Sequence, residues 1–339
     1  MLLFIDGFDH YATADGATKW NSFSGPPTIA ASSGRRGGGA LETVGAGTKY
    51  ASKTFSPAGA SFVVGFAYKP AIPAGSVVIC DFQDAGTTQC QLQINSDGTL
   101  QVTRNGTAVT GGTSTNALND GVWVYVEWKF TIADSIGANS CKVRVNGTDW
   151  ITVATGQDIK NTANASANSV RLGKLTNTTT DSFFDDFYLC DQSGSANNDF
   201  LGDSRIDTLY PNGDGFYQTW TPSTGTQHFA LVNGHTPQIT NYNSDGTAAN
   251  KDTYDFENLT SITGSIFGVQ VNAYAQKSDS GARSIKIDAR SGTTDSAGAS
   301  QALATAPAYY LRILEQDPAT SAAWTESGFN AAQFGPETV

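Results

Sequence analysis

The chain has 339 residues, of which only 15% are charged, and a net charge of −11. That acidic balance excludes a nucleic-acid role resting on phosphate neutralisation, and no apolar run approaches the roughly 20 residues of a membrane span. With 39% hydrophobic and 11% aromatic residues the sequence can build two ordinary cores, which excludes a disordered chain.

The opening segment MLLFIDGFDHY alternates Leu3 and Ile5 with Phe4 and Asp6 and reads as a first strand. It lacks a basic leader and a long apolar core, so no secretory signal is expected there. Further strands are expected over 62–68, 77–82, 89–95, 100–104, 122–132, 141–146, 151–154, 169–175 and 183–189. The clearest is VWVYVEWKFTI over 122–132. Val122, Val124, Val126, Trp128 and Phe130 share one face, while Trp123, Tyr125, Glu127, Lys129 and Thr131 share the other. Asn95-Ser96-Asp97-Gly98 and Asn146-Gly147 supply tight reversals, because Asn, Asp and Gly tolerate positive φ.

The cysteines, Cys80, Cys90, Cys141 and Cys190, form no CxxC pair, which argues against zinc or thioredoxin chemistry. Cys80 and Cys90 flank a turn and could be bridged, but buried, reduced thiols are the preferred reading. A polar seam, DQSGSANNDFLGD over 191–203, breaks the pattern, with Phe200 and Leu201 available to pin it down. Beyond it, strands are expected over 216–220, 227–232, 265–276 and 283–290. A long polar stretch fills 233–258, and a short helix over 326–333 is capped by Thr325. The expected fold is all-β: an antiparallel sandwich over 1–190, a connector over 191–203, and a smaller β-rich domain over 204–339 ending in a short helix.

Three passages resemble the concanavalin-like, or laminin-G-like, jelly roll: GRRGGGALE (34–42), SFVVGFAYKP (61–70) and DDFYLCD (185–191). In that fold a strand like the last pairs with the N-terminal strand, here LLFIDGFD. The order of the whole chain is also similar to bacteriophage virion proteins, on FLGDSRIDTLYPNGDGFYQTW (200–220) and DPATSAAWTESGFNAAQFGPE (317–337). This resemblance implies a virion location, other virion proteins as partners and assembly as a homo-oligomer, with host attachment through a surface glycan.

Pairing of the first and last sandwich strands would bring Asp6, Asp9, Asp185 and Asp186 together, hard oxygen donors suited to calcium. The plainer reading puts the adjacent Asp185 and Asp186 on opposite faces, one solvated and one bonded to a loop. Glu127 is the single carboxylate on the expected central strand, whereas glycoside hydrolysis needs two, and a solvent-facing Glu127 beside Lys129 is the simpler account. His10, His228 and His235 offer no third metal ligand nearby, and the Arg35–Arg36 doublet in its glycine cluster is a weak anion site. Trp123 is the exposed aromatic expected to meet a glycan or a neighbouring subunit. No nucleophile elbow, P-loop or HExxH helix occurs. The sequence thus reads as a non-enzymatic virion structural protein without an organic cofactor, placed in the tail or its appendages. A capsid decoration protein, a carbohydrate-binding adhesin module and a polysaccharide depolymerase are the alternatives.

Overall fold

The computed structural model describes residues 1–260 and 262–339 and divides into two compact units, Met1–Ile206 and Asp207–Val339. Both are built from antiparallel sheets, as the period-two patterning requires.

In the first unit, one sheet runs in the order Thr148–Thr152, Cys141–Val145, Val124–Thr131, Ser61–Lys69, Phe183–Asp191, Leu41–Glu42, Thr28–Ile29. The N-terminal strand Leu2–Asp6 pairs with Phe183–Asp191, so the first and last strands of the sandwich do meet. The second sheet runs Thr107–Ala117, Thr99–Arg104, Thr87–Ile94, Val77–Asp84, Ala167–Lys174, Lys49–Gly59, Ser22–Ser24. Phe62 and Phe130 of the first sheet lie 4.9 and 5.8 Å from ring partners Phe82 and Phe62, and Phe82 also meets Trp128 edge-on at 5.9 Å. Fully buried rings of this kind contribute about 1.5–3 kcal/mol each relative to exposure. They are what join the two sheets into a sandwich.

The second unit has a sheet in the order Pro211–Gln218, Asp252–Phe256, Ala332–Thr338, Ser284–Ser291, Thr294–Ala297, with Gln301–Ala302 also on Ser284–Ser291. A ribbon of Val269–Ala275 and Ala308–Leu314 adds Val271 and Leu314 to a core with Ile287, Trp324, Phe329 and Phe334. The short helix is Glu326–Asn330, and Thr325 caps it by accepting from the Gly328 amide at 3.0 Å.

Several sequence expectations need correction. Residues 227–232 do not form a strand: Phe229–Leu231 is a single 3-10 turn, fixed where His228 Nδ1 meets the buried Asp252 carboxylate at 2.7 Å. The polar stretch 233–258 contains the strand Asp252–Phe256, whose Tyr254 is buried. The four cysteines are free and buried. Phe82, not Cys80, is the residue opposite Cys90, so the two thiols are not cross-strand partners.

Candidate functional site

The outer face of the first sheet, expected to be solvated at Glu127, is covered. Glu127 is 1% exposed. Its Oε1 accepts from the Tyr188 hydroxyl at 2.5 Å and from the Gly202 amide at 2.8 Å, while the Leu201 amide donates to the Tyr188 hydroxyl at 3.2 Å. The polar seam therefore lies on the sheet as a strap. Phe200 completes it beneath the Arg144 guanidinium, whose central carbon lies 4.1 Å from the ring centre in a cation–π contact. Sequence reasoning missed this because the covering segment lies more than 70 residues away from Glu127 in the chain.

Around the next turn of the same face, Arg35 gathers the end of the strap. Its side chain bonds Asp186 Oδ2 at 3.1 Å, Asp203 Oδ1 at 2.5 Å and the Ser204 carbonyl at 2.8 Å, and its amide donates to Asp185 Oδ2 at 2.8 Å. Asp185 and Asp186 are thus both buried and both bonded to Arg35: Asp185 meets a loop amide as expected, and neither is solvated. The cause is a register shift between Asp185 and Tyr188, with Asp186 at φ 48°. Burial, then the neighbouring Asp186 charge, pushes the Asp185 carboxyl up to about 8.

Asp6 belongs to a different cluster. Its carboxylate takes hydrogen bonds from Tyr11 at 2.6 Å, Lys19 at 2.9 Å, Trp20 at 2.6 Å and the Phe8 amide at 3.0 Å. Burial pushes this carboxyl up, but Lys19 outweighs it with these bonds and holds the group below the usual range. Asp9 accepts from the Gly39 amide at 2.6 Å, against the glycine cluster 34–39. Among the described residues, no group of three or more His, Cys, Asp or Glu side chains is arranged to hold a metal ion. The four aspartates proposed for calcium are spent on Lys19, Arg35 and backbone amides. Trp123 is half-buried and precedes the strand, which begins at Val124; its neighbour Val122 is exposed.

The outer face of the second sheet is where polar side chains collect. Its cross-strand register places Ser22, Ser52, Arg171, Asp81, Gln91 and Thr103 in one row across six strands. A second row holds Gln93, Gln101 and Thr113. Arg171 grips the fully buried Asp81 through Nε at 2.8 Å and through Nη2, and its guanidinium lies 5.0 Å from the Tyr50 ring centre. Thr103 donates to Gln91 Oε1 at 3.1 Å; Gln93 Nε2 bonds Gln101 Oε1 at 2.8 Å, and Gln101 Nε2 bonds Thr113 at 2.8 Å. The side chains are locked to one another on rigid strands, which is how a preorganised binding surface is made. The signal in the sequence is the alternation Gln89, Gln91, Gln93, followed by Gln101 and Thr103: amides and a hydroxyl where a soluble sheet would carry Lys and Glu. Gln89, fully buried, belongs to neither row, because the loop at Asn161–Ser166 covers it through bonds to Thr162, Asn164 and Ser166.

No family model and no curated protein matches the sequence. Among solved structures, alginate lyase Aly36B is similar at 11% identity and TM-score 0.39, over 53% of this chain and 91% of that one. Alginate lyase AlgAT5 from polysaccharide lyase family 7 is similar at 11% identity and TM-score 0.34, over 49% and 82%. Trypanosoma rangeli sialidase, in complex with a difluorinated nononic acid, is similar at 13% identity and TM-score 0.34, over 48% of this chain but only 26% of that chain. The expectation that this chain is not an enzyme is withdrawn: the neighbours carry enzyme names, and neither an activity nor the lack of one is carried over from them. At such identity and TM-score they carry over neither a catalytic residue nor a fold, and the β-sandwich is read from the two sheets of this chain itself.

Proposed function

We propose that this chain is a bacteriophage tail or appendage component whose sandwich unit engages host-surface polysaccharide through the outer face of its second sheet. One observation carries the reading: the interlocked rows Arg171, Asp81, Gln91, Thr103 and Gln93, Gln101, Thr113 on neighbouring strands. Sugar hydroxyls both donate and accept, and planar amides with a guanidinium and a tyrosine ring suit them. The low charge and the Gly- and Asn-rich turns suit a particle surface built from sheets, and the passages 200–220 and 317–337 supply the virion reading. Copies of the chain would assemble with one another and with other virion proteins.

Two measurements test it. Cryo-electron microscopy of the particle is expected to show this chain in the tail; density over the capsid shell would make it a head decoration protein instead. A glycan array with the full chain is expected to give binding that Arg171→Ala removes. Product release from bound polysaccharide, followed in the same samples, reads whether the chain also cuts what it holds.

A further inference from the structure

We infer that the ligand of the second-sheet face is a neutral, hydroxyl-rich polysaccharide and not a uronate- or sialate-bearing one. The inference rests on the binding reading above and adds the chemical class. The rows carry one cation and one anion, Arg171 and Asp81, and these neutralise each other through a two-bonded contact. Among the described residues, no lysine stands in either row. Lys53, on the strand that faces Arg171 through Ser52, turns away and donates to the Lys19 carbonyl at 2.6 Å. Arg104, at the end of the Thr99–Arg104 strand, is paired with Asp158.

Each end of the face also carries an aspartate. Asp84 accepts from Thr162 at 2.7 Å and Asn164 at 3.0 Å, and Asp97, at the turn beyond Ile94, accepts from Thr99 at 2.6 Å. With a whole-chain charge of −11, the field at this surface opposes an acidic polymer. What the face offers is uncharged capacity of both kinds. Among the described residues, no hydrogen bond engages Gln91 Nε2 or Gln93 Oε1, although Gln91 Oε1 and Gln93 Nε2 are both used. A free amide donor and a free amide acceptor therefore stand on two half-buried side chains, Gln91 and Gln93, in adjacent rows. A hydroxyl satisfies either; a carboxylate satisfies only the donor and leaves the acceptor opposed to its charge.

The test is calorimetric titration of the full chain with dextran, mannan and galactan as neutral probes, and with alginate, polygalacturonate and polysialate as acidic ones, at low and high salt. The triple substitution Gln91→Ala, Gln93→Ala, Gln101→Ala is run beside the parent, with circular dichroism to confirm that it folds. The expected result is binding to a neutral probe at least tenfold tighter than to any acidic one. It should be insensitive to salt and weakened at least tenfold by the triple substitution. Tighter binding of an acidic probe that the triple substitution still abolishes would overturn the neutral class while leaving the face as the site. Binding that ignores the triple substitution, or none to either set, would overturn the binding reading itself.

Discussion

Glu127 and Tyr188 hydrogen-bond at 2.5 Å across an intervening strand, and the residue between them in the ladder is Gly65. A side chain at position 65 would occupy the space of the tyrosine ring: an added Cβ would stand 2.1 Å from Tyr188 Cε1. Gly65→Ala is therefore expected to destabilise the sandwich by about 1–3 kcal/mol in urea unfolding. In a Tyr188→Ala background the same change should cost much less, and an equal cost in both would show that the ring is not the obstacle.

The strap over the first sheet depends on Glu127 as its acceptor. Glu127→Gln keeps an oxygen for the Tyr188 hydroxyl and the Gly202 amide; Glu127→Leu keeps none. Hydrogen exchange at Gly202 and Leu201 is expected to rise at least tenfold in the leucine variant and little in the glutamine variant, which a 1.4 kcal/mol change in local opening would produce.

Acid and base should act oppositely on the Asp185 site. A carboxyl raised from an ordinary value of 3.8 to about 8 by burial, then by Asp186, binds its proton more tightly folded than unfolded. Its contribution to stability is complete below about pH 4 and is lost as pH rises through about 8. The urea midpoint of the parent is expected to fall between pH 5 and pH 9, and Asp185→Asn, although less stable overall, to fall less over that range. A carboxyl carbon titration of Asp185 near 4 would refute the assignment.

Lys19 and Asp6 are a buried pair, with side chains 1% and 0% exposed and a separation of 2.9 Å. Lys19→Met leaves the Asp6 anion in the core without its counter-charge, and the expected loss is about 3–5 kcal/mol by chemical denaturation. A loss below about 1 kcal/mol would mean that Tyr11, Trp20 and the Phe8 amide suffice to hold that carboxylate.

The strands with dense β-branched and aromatic alternation were legible: Val124–Thr131 and Ser61–Lys69 lie close to where their pattern puts them. Thr107–Ala117 was not, because TAVTGGTSTNA has few apolar residues and its register slips twice, once across Gly111 and Gly112 and again between Thr113 and Ala117. Asp252–Phe256 was hidden in a polar stretch, since its Asp252 is buried by partners that only the fold supplies, His228 and Trp220. Glu127 was read as solvated because the strand pattern reports which face a residue is on, not what a distant segment lays over it. The Asp185–Asp186 bulge was similarly invisible, since alternation assumes an unbroken pleat. The amide rows were written plainly in Gln91, Gln93 and Gln101, but they acquire meaning only when the register places them side by side.

The most direct measurement is of the side-chain amide resonances of Gln91, Gln93 and Gln101 by nuclear magnetic resonance during titration with the polysaccharide that binds. Shifts concentrated on these three amides and on the Arg171 Nε resonance are expected. Unmoved amides, with shifts gathered instead at Trp123 or along the strap around Gly202, would contradict the account.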